Sequence, residues 1–490
     1  MITPQETDTK RIKREILVRL IKAFYSEDFG ESARRIPYDM RPKGCEVPYR
    51  CCVYKERAIL KARTLAGLGI SLEDDDECTL MNEYARQAVA PRPAPKAPLT
   101  VVESACQGCA PSRVYVTELC QNCVARPCMS ACKFGAIIHE GGRSFVDPAK
   151  CKKCGMCINA CPYGAIVKTV VPCENACPVD AISKDESGMA RINPDKCISC
   201  GKCVSACPFG AVNARSQLID VLSRIREGRE TVAMIAPAIV GQLPCTAEQL
   251  HTALKKIGFK YVYEVAQGAD ITARTEAHDL QERLERGDAF MTTSCCAAYN
   301  ELVAKHLPEI KPFVSDTKTP MYYTAEIAKR EHPEAVTVFL SPCFAKRREA
   351  LGNPNVDYVL SFEELGATFI ALGVDVASCE GEEYEVSSSK EGRNFPLTGG
   401  VAASVVAAWR GEEGAVKPTT VNGLTKASIR DLKRWAKTGK CELGNLIEIM
   451  SCEGGCIGGN ACLSAPKPAM AQVKEYSGKS FSLSDAQPNA

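Results

Sequence analysis

CKKCGMCINACP, residues 151–162, and CISCGKCVSACP, residues 197–208, are two copies of one spacing, C-x2-C-x2-C-x3-C closed by a proline. Around them, from Cys106 to Cys207, the chain runs in short cysteine-rich loops with Gly and Pro and few long periodic segments. Such loops bury too little apolar surface to build a core alone, so something inorganic must crosslink them. They sit in a chain of 490 residues, long enough for about three domains. Fibres, peptide hormones and disulfide mini-scaffolds are excluded. Cysteine numbers 29, high for this length yet below the density of short secreted disulfide frameworks. Lys plus Arg total 61 against 59 Asp plus Glu, and the +2 balance offers no overall basic field for nucleic acid or an anionic membrane. MITPQETDTKRIKREI at the start has no apolar h-region, and no stretch reaches the ~18 apolar residues of a membrane span. The expectation is a reducing, cytoplasmic compartment, where clustered cysteines bind metal more often than they form disulfides.

The chain divides by texture. Residues 1–90 read as an N-terminal helical, Cys-containing region: Ile12, Ile16, Leu20 and Leu17, Ile21, Phe24 recur at helical spacing, as in an ordinary docking helix. Residues 91–100 open with PRPAPKAP, four prolines in eight residues, and form an extended linker. Residues 101–215 are the cysteine-rich unit. In 216–476, apolar runs such as TVAMIAPA (231–238), AFMTT (289–293) and VTVFL (336–340) alternate with helical stretches, which predicts parallel strands joined by crossover helices. Residues 477–490 read as a polar, frayed tail.

The two opening runs have the spacing of bacterial-type ferredoxins. Three closely spaced thiolates on a turn reach three corners of one 4Fe-4S cube, while the fourth, on the helix that follows, ligates the neighbouring cube. For the first run the upstream partner is Cys120, Cys123, Cys128, Cys132, giving one cluster on Cys120, Cys123, Cys128 and Cys161 and another on Cys132, Cys151, Cys154 and Cys157. For the second, the adjacent Cys173-x3-Cys177-Pro178 lacks its leading pair, which Cys106-x2-Cys109 supplies. One two-cluster unit is therefore inserted inside another. The outer cluster falls on Cys106, Cys109, Cys173 and Cys207, and its mate on Cys177, Cys197, Cys200 and Cys203. Zinc is the competing reading of the C-x2-C pairs, but zinc sites seldom carry the third Cys at x2 and the C-P ending. Cys45, Cys51, Cys52 and Cys78 lie in a segment with little else to stabilise it, so they are a possible further cluster; buried structural cysteine is the plainer alternative.

Three separated segments of the last domain hold cysteine in unusual company: TTSCCAAY (292–299), SPCFAKRRE (341–349) and EIMSCEGGCIGG (448–459). Consecutive side chains diverge in extended chain, so Cys295 and Cys296 do not easily serve the same cube and one is left for chemistry. Pro237, the Cys295-Cys296 pair and Cys343 each follow an apolar run, and ligand sites in open α/β sheets collect beyond the carboxyl ends of strands. If 272–285 is helical, Glu276, Asp279 and Arg283 share one face, as a proton relay requires, or as routine surface ion pairs would.

The three segments resemble, in order, the signature motifs of the iron-only (FeFe) hydrogenases, with supporting matches at IAPA (235–238), GADIT (268–272) and TGGVAAS (398–404). The resemblance covers about residues 230–465. It implies an α/β catalytic domain with parallel strands and an H-cluster, a 4Fe-4S cubane bridged to a two-iron unit with CO, cyanide and azadithiolate. By position, Cys296, Cys343, Cys452 and Cys456 would bind the cubane, with Cys456 as the bridge and Cys295 the free thiol beside the two-iron unit. Lys346 would face a cyanide ligand, leaving Arg347 and Arg348 as the solvated charges of the run KRRE. Pro237 and Ala238 would line the pocket and Met450 would cover it. The proton path would run Arg283, Asp279, Ser315, Glu276, Cys295.

The chain departs from the family at Ala297-Ala298-Tyr299, where Pro-Gly-Trp is common, at Ser341 for Met, at Met321 for Gln, and at Asp279 for Glu. These departures resemble the group B branch. The implied activity is interconversion of protons and H2, with electrons passing through four accessory clusters to or from a soluble carrier such as ferredoxin, and with maturation proteins inserting the two-iron unit. A slow H2 or redox sensor and a non-enzymatic iron-sulfur assembly protein are the alternatives. Retention of both Cys295 and Lys346 argues against the latter.

Overall fold

The computed structural model describes residues 7–44 and 49–485. The first helix, Asp8–Phe24, starts where the Thr7 hydroxyl accepts the Lys10 N–H, and it buries Ile16, Leu17, Leu20, Ile21 and Phe24. That stripe packs on helices Phe29–Met40 and Val53–Gly67 and on helix Phe362–Leu372 of the last domain. The N-terminal region thus has an apolar core of its own, where little beyond its cysteines was expected to stabilise it, with Leu20, Ile21, Phe24, Leu65 and Ala85 inaccessible to solvent. Cys51 and Cys78 are exposed and Cys52 half-buried, so they are not buried structural thiols; Cys45 lies outside the described residues.

Eight short strands shape the cysteine-rich unit: β1 (Leu99–Val101), β2 (Arg113–Val116), β3 (Ile137–Glu140), β4 (Arg143–Val146), β5 (Ile166–Thr169), β6 (Ile182–Lys184), β7 (Ala190–Ile192) and β8 (Val212–Ala214). All pair antiparallel, and the pairing is nested. β1 joins β8 around the outside, β2 joins β5 within it, and β3–β4 and β6–β7 are local hairpins. An inner ferredoxin-type unit, residues 113–169, therefore interrupts an outer one.

The last domain holds β9 (Thr231–Ile235), β10 (Tyr261–Glu264), β11 (Met291–Thr292), β12 (Val336–Ser341), β13 (Tyr358–Ser361), β14 (Pro418–Asn422) and β15 (Leu446–Met450). They form two sheets, β10-β9-β12-β13 and β11-β15-β14, with every pair parallel. β9, β12 and β15 are buried along their whole length, which is why they read as continuous apolar runs rather than as alternating ones. Helix Ala266–Glu285 crosses helix Pro320–Glu331 so closely that a Cβ on Gly268 would stand 2.2 Å from the Pro320 carbonyl oxygen. This packing explains the glycine of GADIT.

Two expectations fail here. The chain past Ser477 is held, not frayed, as far as it is described: Leu483 is buried, and Glu391 accepts the Leu483 N–H at 2.7 Å and the Ser482 hydroxyl at 2.9 Å. Arg347 is not a solvated charge. Its side chain is buried, paired with Glu364 and donating to the backbone oxygens of Arg215 and Val359, because it spans the seam between the last domain and the end of the ferredoxin-type unit. Arg348 is half-exposed and lies 3.5 Å from Glu301. Among the described residues no helix is long and apolar enough to cross a membrane.

Candidate active site and accessory thiol clusters

The carboxyl ends of the two parallel sheets deliver the site. Pro237 follows β9, Cys343 follows β12, the Cys295-Cys296 pair follows β11, and Cys452 follows β15. Cys296 is then the N-cap of helix Ala297–His306, and Cys456 is fixed by its N–H on the Pro396 carbonyl at 2.7 Å. Four thiols from three loops converge. Burial and the neighbouring Cys296 push Cys343 up to about 11. Burial, then Cys296 and Cys343, raise Cys456 further, and Cys452 is raised by burial and by Cys343, Cys296 and Cys456. Buried thiols within one another's field cannot all ionise without a nearby cation, and a soft, thiolate-bound iron-sulfur group meets that requirement. The donor set therefore fits an iron-sulfur cubane.

Cys295 is buried beside this quartet. Its thiol is raised by burial and then by Glu276, Cys296 and Glu448, so it is held protonated. Lys346 Nζ lies 3.4 Å from the Cys295 carbonyl oxygen and 2.7 Å from Glu349 Oε2. Burial pulls its pKa down, but the charge and hydrogen bond of Glu349 outweigh that and raise it, keeping the ammonium charged. Glu349 is itself held by the Thr319 hydroxyl. Ala238, Met321, Ser341 and Met450 are buried, and Pro237 is half-buried.

The residues expected to relay protons fall into two hydrogen-bonded groups. In the outer half Arg283 Nε donates to Asp279 Oδ1 at 2.6 Å, and the Ser315 hydroxyl donates to Asp279 Oδ2 at 2.8 Å. In the inner half Glu276 Oε1 accepts the Ser294 N–H at 3.0 Å, and burial raises its carboxyl to about 7. Among the described residues no direct hydrogen bond joins Ser315 to Glu276. Thr317 lies between, its N–H on Ser315 Oγ at 3.2 Å and its carbonyl accepting the Ser294 hydroxyl at 2.6 Å. Two buried oxygens here, Glu276 Oε2 and Thr317 Oγ1, have no partner.

The ferredoxin-type unit repeats one backbone device. In Cys106–Cys109, Cys120–Cys123, Cys151–Cys154 and Cys197–Cys200 the residue before the second cysteine is left-handed: Gly108, Asn122, Lys153 and Ser199, with φ between 48° and 57°. Three non-glycine residues in that region mark a turn fixed by its surroundings. Cys106–Cys109 thus has the conformation of the other three pairs although it lies outside both long runs. Backbone N–H groups point at sulfur throughout, from Lys153 to Cys151, Ser199 to Cys197, Ala136 to Cys132, Ala181 to Cys177 and Ala211 to Cys207, at 3.2–3.4 Å. Such bonds tune cluster potentials.

The thiols also sort in space. Cys203 is raised by burial and by Cys200, Cys197 and Cys177; Cys157 by burial and by Cys132, Cys151 and Cys154; Cys173 by burial and by Cys207, up to about 11. Cys106 and Cys109 pack with Cys173. Cys120 and Cys128 meet at Ser144, and Cys161 packs with Cys128.

Sequence reasoning passed over four residues. Asn460 Nδ2 donates to the Cys200 carbonyl at 2.9 Å and lies 4.0 Å from Cys452 Sγ, joining the ferredoxin-type unit to the quartet. Glu448, fully buried on β15, accepts the Gly399 N–H at 2.8 Å and the Ala402 N–H at 2.9 Å at the start of helix Gly400–Ala408. A charged residue inside the apolar run LIEIM was the signal for it. Ser294 and Glu349 lay within quoted motifs, but nothing in their spacing singled them out.

The family model for the iron only hydrogenase large subunit, C-terminal domain, matches residues 229–460. A 4Fe-4S binding domain matches 144–166, and the LdpA Fe-S cluster-binding domain matches 167–218. The chain is 27% identical over 390 residues to the periplasmic Fe hydrogenase large subunit of Nitratidesulfovibrio vulgaris, covering 67% of this chain and 87% of that protein. It is 25% identical to iron hydrogenase 1 of Clostridium pasteurianum over 66% of this chain, and spans 65% of that longer protein. The solved apo FeFe-hydrogenase from Chlamydomonas reinhardtii aligns over 55% of this chain and 92% of its own, at 18% identity and a TM-score of 0.44.

Proposed function

We propose that the chain is an FeFe hydrogenase-like protein with 4Fe-4S ferredoxin-type domains, and that it interconverts protons, electrons and H2. The observation that carries this reading is the convergence of Cys296, Cys343, Cys452 and Cys456 beside a buried fifth thiol and a buried lysine. Those four would hold the cubane of an H-cluster, with Cys456 as its bridge to a two-iron unit. Bound there, the group supplies low-valent iron for making and breaking the H–H bond.

The remaining work belongs to the chain. Cys295 holds a proton on Sγ, because burial and the nearby carboxylates disfavour its thiolate. Glu276, with its carboxyl near 7, takes or gives a proton at neutral pH. Ser315, Asp279 and Arg283 make up the outer half of the path, separated from Glu276 by Thr317 and Ser294 and ending at the exposed Asp316. Lys346, steadied by Glu349, sets a fixed positive charge toward the ligands of the two-iron unit. Ala238, Ser341 and Met450 exclude water. Cys177, Cys197, Cys200 and Cys203 would hold the accessory cluster nearest Cys452, to which Asn460 joins the Cys200 loop, and the four accessory clusters would supply electrons to the site. A soluble carrier such as ferredoxin exchanges electrons with the chain, and maturation proteins supply the two-iron unit.

The test is infrared spectroscopy of the matured protein for metal-bound CO and cyanide, with an H2 assay on the same sample. Bands with turnover support the enzyme, and bands with very slow turnover a sensor. Their absence after competent maturation would mean an iron-sulfur assembly protein.

A further inference from the structure

Among the described residues, three side-chain hydrogen bonds tie residues 197–202 to the last domain. Lys202 Nζ donates to the Leu424 carbonyl at 2.5 Å, Lys305 Nζ to the Cys197 carbonyl at 2.6 Å, and Asn460 Nδ2 to the Cys200 carbonyl at 2.9 Å. Of the three, only Asn460 also has a quartet sulfur within reach: Cys452 Sγ lies 4.0 Å from the same nitrogen.

Chemistry fixes which way the amide points. A peptide carbonyl only accepts, so the nitrogen faces Cys200, and the Ser205 hydroxyl donates to Oδ1 at 2.8 Å on the other side. One N–H goes to Cys200. The second has no oxygen acceptor among the described residues, and the Cys452 sulfur is the acceptor left to it. The backbone holds this arrangement in place. Gly459 packs so closely on Pro342 that a Cβ would stand 2.5 Å from that residue's carbonyl oxygen, to which the Ala461 N–H donates at 3.1 Å. Across the seam, a Cβ on Gly201 would meet the Phe344 ring at 2.5 Å and Asn460 Cβ at 3.2 Å, so the amide has little room to turn. Cys200 is also the accessory thiol whose field reaches Cys452.

We infer that Asn460 is a positioning residue for the electron step between the last accessory cluster and the quartet cubane: its amide makes a hydrogen-bonded route from the Cys200 loop to Cys452 and, by donating to that sulfur, favours the reduced cubane. One electron passes from the cluster on Cys177, Cys197, Cys200 and Cys203 to the cubane; the first is oxidised, the second reduced, and no bond or proton is exchanged. A donor aimed at a cluster sulfur stabilises the added negative charge and raises the reduction potential. The inference rests on the reading of Cys296, Cys343, Cys452 and Cys456 as a cubane site, and it deepens that reading by naming what couples the site to its electron supply.

The test is a redox titration followed by EPR on the full-length chain, produced without maturation proteins so that it carries its iron-sulfur clusters alone. A cleft of about 500 Å³ at this seam is lined by Cys177, Lys202, Cys452 and Asn460, so Asn460→Ala would admit water as a substitute donor; Asn460→Leu keeps the bulk and removes the donors. At unchanged iron content, Asn460→Leu should move the cubane's reduction equilibrium about tenfold toward the oxidised form, ~59 mV for one electron, with the accessory clusters unmoved. Asn460→Asp, which keeps an acceptor for Ser205 and brings negative charge to the sulfur, should move it further the same way. Ser205→Ala, which only unfastens the amide, should give a smaller shift in the same direction. In protein labelled with heavy-nitrogen asparagine, the reduced cubane of the parent should show a nitrogen hyperfine coupling that Asn460→Leu lacks. A potential unmoved in all three variants overturns the inference, even if their melting temperatures fall, and so does a coupling that persists in Asn460→Leu. A parent with no cubane beyond the accessory four overturns the cubane reading and this inference with it, whereas unmoved potentials in a parent that holds the cubane overturn the inference alone.

Discussion

Glu276 Oε1 accepts the backbone N–H of Ser294 at 3.0 Å, so the acid on helix Ala266–Glu285 is fastened to the loop one residue ahead of Cys295. The fastening is costly to a charge. Burial lifts the carboxyl to about 7 from its ordinary 4.5, against the bonds from Ser294 that pull it down.

A pH dependence follows from that shift. The folded carboxyl keeps its proton to higher pH than the unfolded one, so its contribution to stability is full below about 4.5 and is lost as pH rises through about 7. Glu276→Gln removes the loss. Its unfolding free energy from chemical denaturation should exceed that of the parent at pH 8 by an amount on the order of 3 kcal/mol, and the difference should vanish near pH 4. Turnover should fall by roughly 10²–10⁴, taking the limb near pH 7 out of the rate profile. Equal melting of parent and variant across this range would show that Glu276 titrates normally.

The adjacent thiols should separate cleanly. Cys296→Ala is expected to cost about four irons per chain, whereas Cys295→Ala should keep its iron and lose H2 turnover by two or more powers of ten. Iron counts on purified variants with an H2 assay decide it. Iron lost from the Cys295 variant would reverse the assignment of the pair.

The fold was legible where chemistry or burial repeats. β9 and β12 are buried on both faces and had to be written as unbroken apolar runs, and the two long cysteine runs fix their own turns. β10, with the sequence YVYE, and β14, with PTTVN, lie at the edges of their sheets, where partial exposure breaks the pattern. Of the site, the helical spacing of Glu276, Asp279 and Arg283 placed an acid and its ion pair on one element, as the Arg283–Asp279 contact shows. Spacing within one helix could not reveal that Ser294 and Thr317, from two other loops, stand between Ser315 and Glu276. Arg347 escaped for a similar reason: in the run KRRE neighbouring charges look alike, and only the domain seam distinguishes them.

The nested pairing of the ferredoxin-type units gives a non-additive signature. Cys106→Ser and Cys207→Ser should each remove the same cluster, so the double variant should have no fewer irons than either single one, about four below the parent. Cys106→Ser with Cys120→Ser should remove two clusters. Iron analysis and EPR spin counts of the reduced proteins measure both. Additive loss in the first double variant would separate Cys106 from Cys207.

Arg347 and Glu364 form a buried pair extended by the Ser216 hydroxyl on Glu364, the Arg347 donation to the Arg215 carbonyl and the Gln217 side chain on the Val359 N–H. The pair thus ties the loop that carries Cys343 and Lys346 to the end of the ferredoxin-type unit. Removing one partner leaves an uncompensated buried charge, so Arg347→Met or Glu364→Gln should lower stability by about 3–5 kcal/mol. Arg347→Met with Glu364→Leu removes both charges and should recover most of that loss, because the desolvation penalty disappears with the attraction. If the seam also holds Lys346 in place, the double variant will regain its stability but keep a reduced H2 rate at full iron content. Chemical denaturation and turnover on the same three proteins check this. Full recovery of both would make the pair a matter of stability alone.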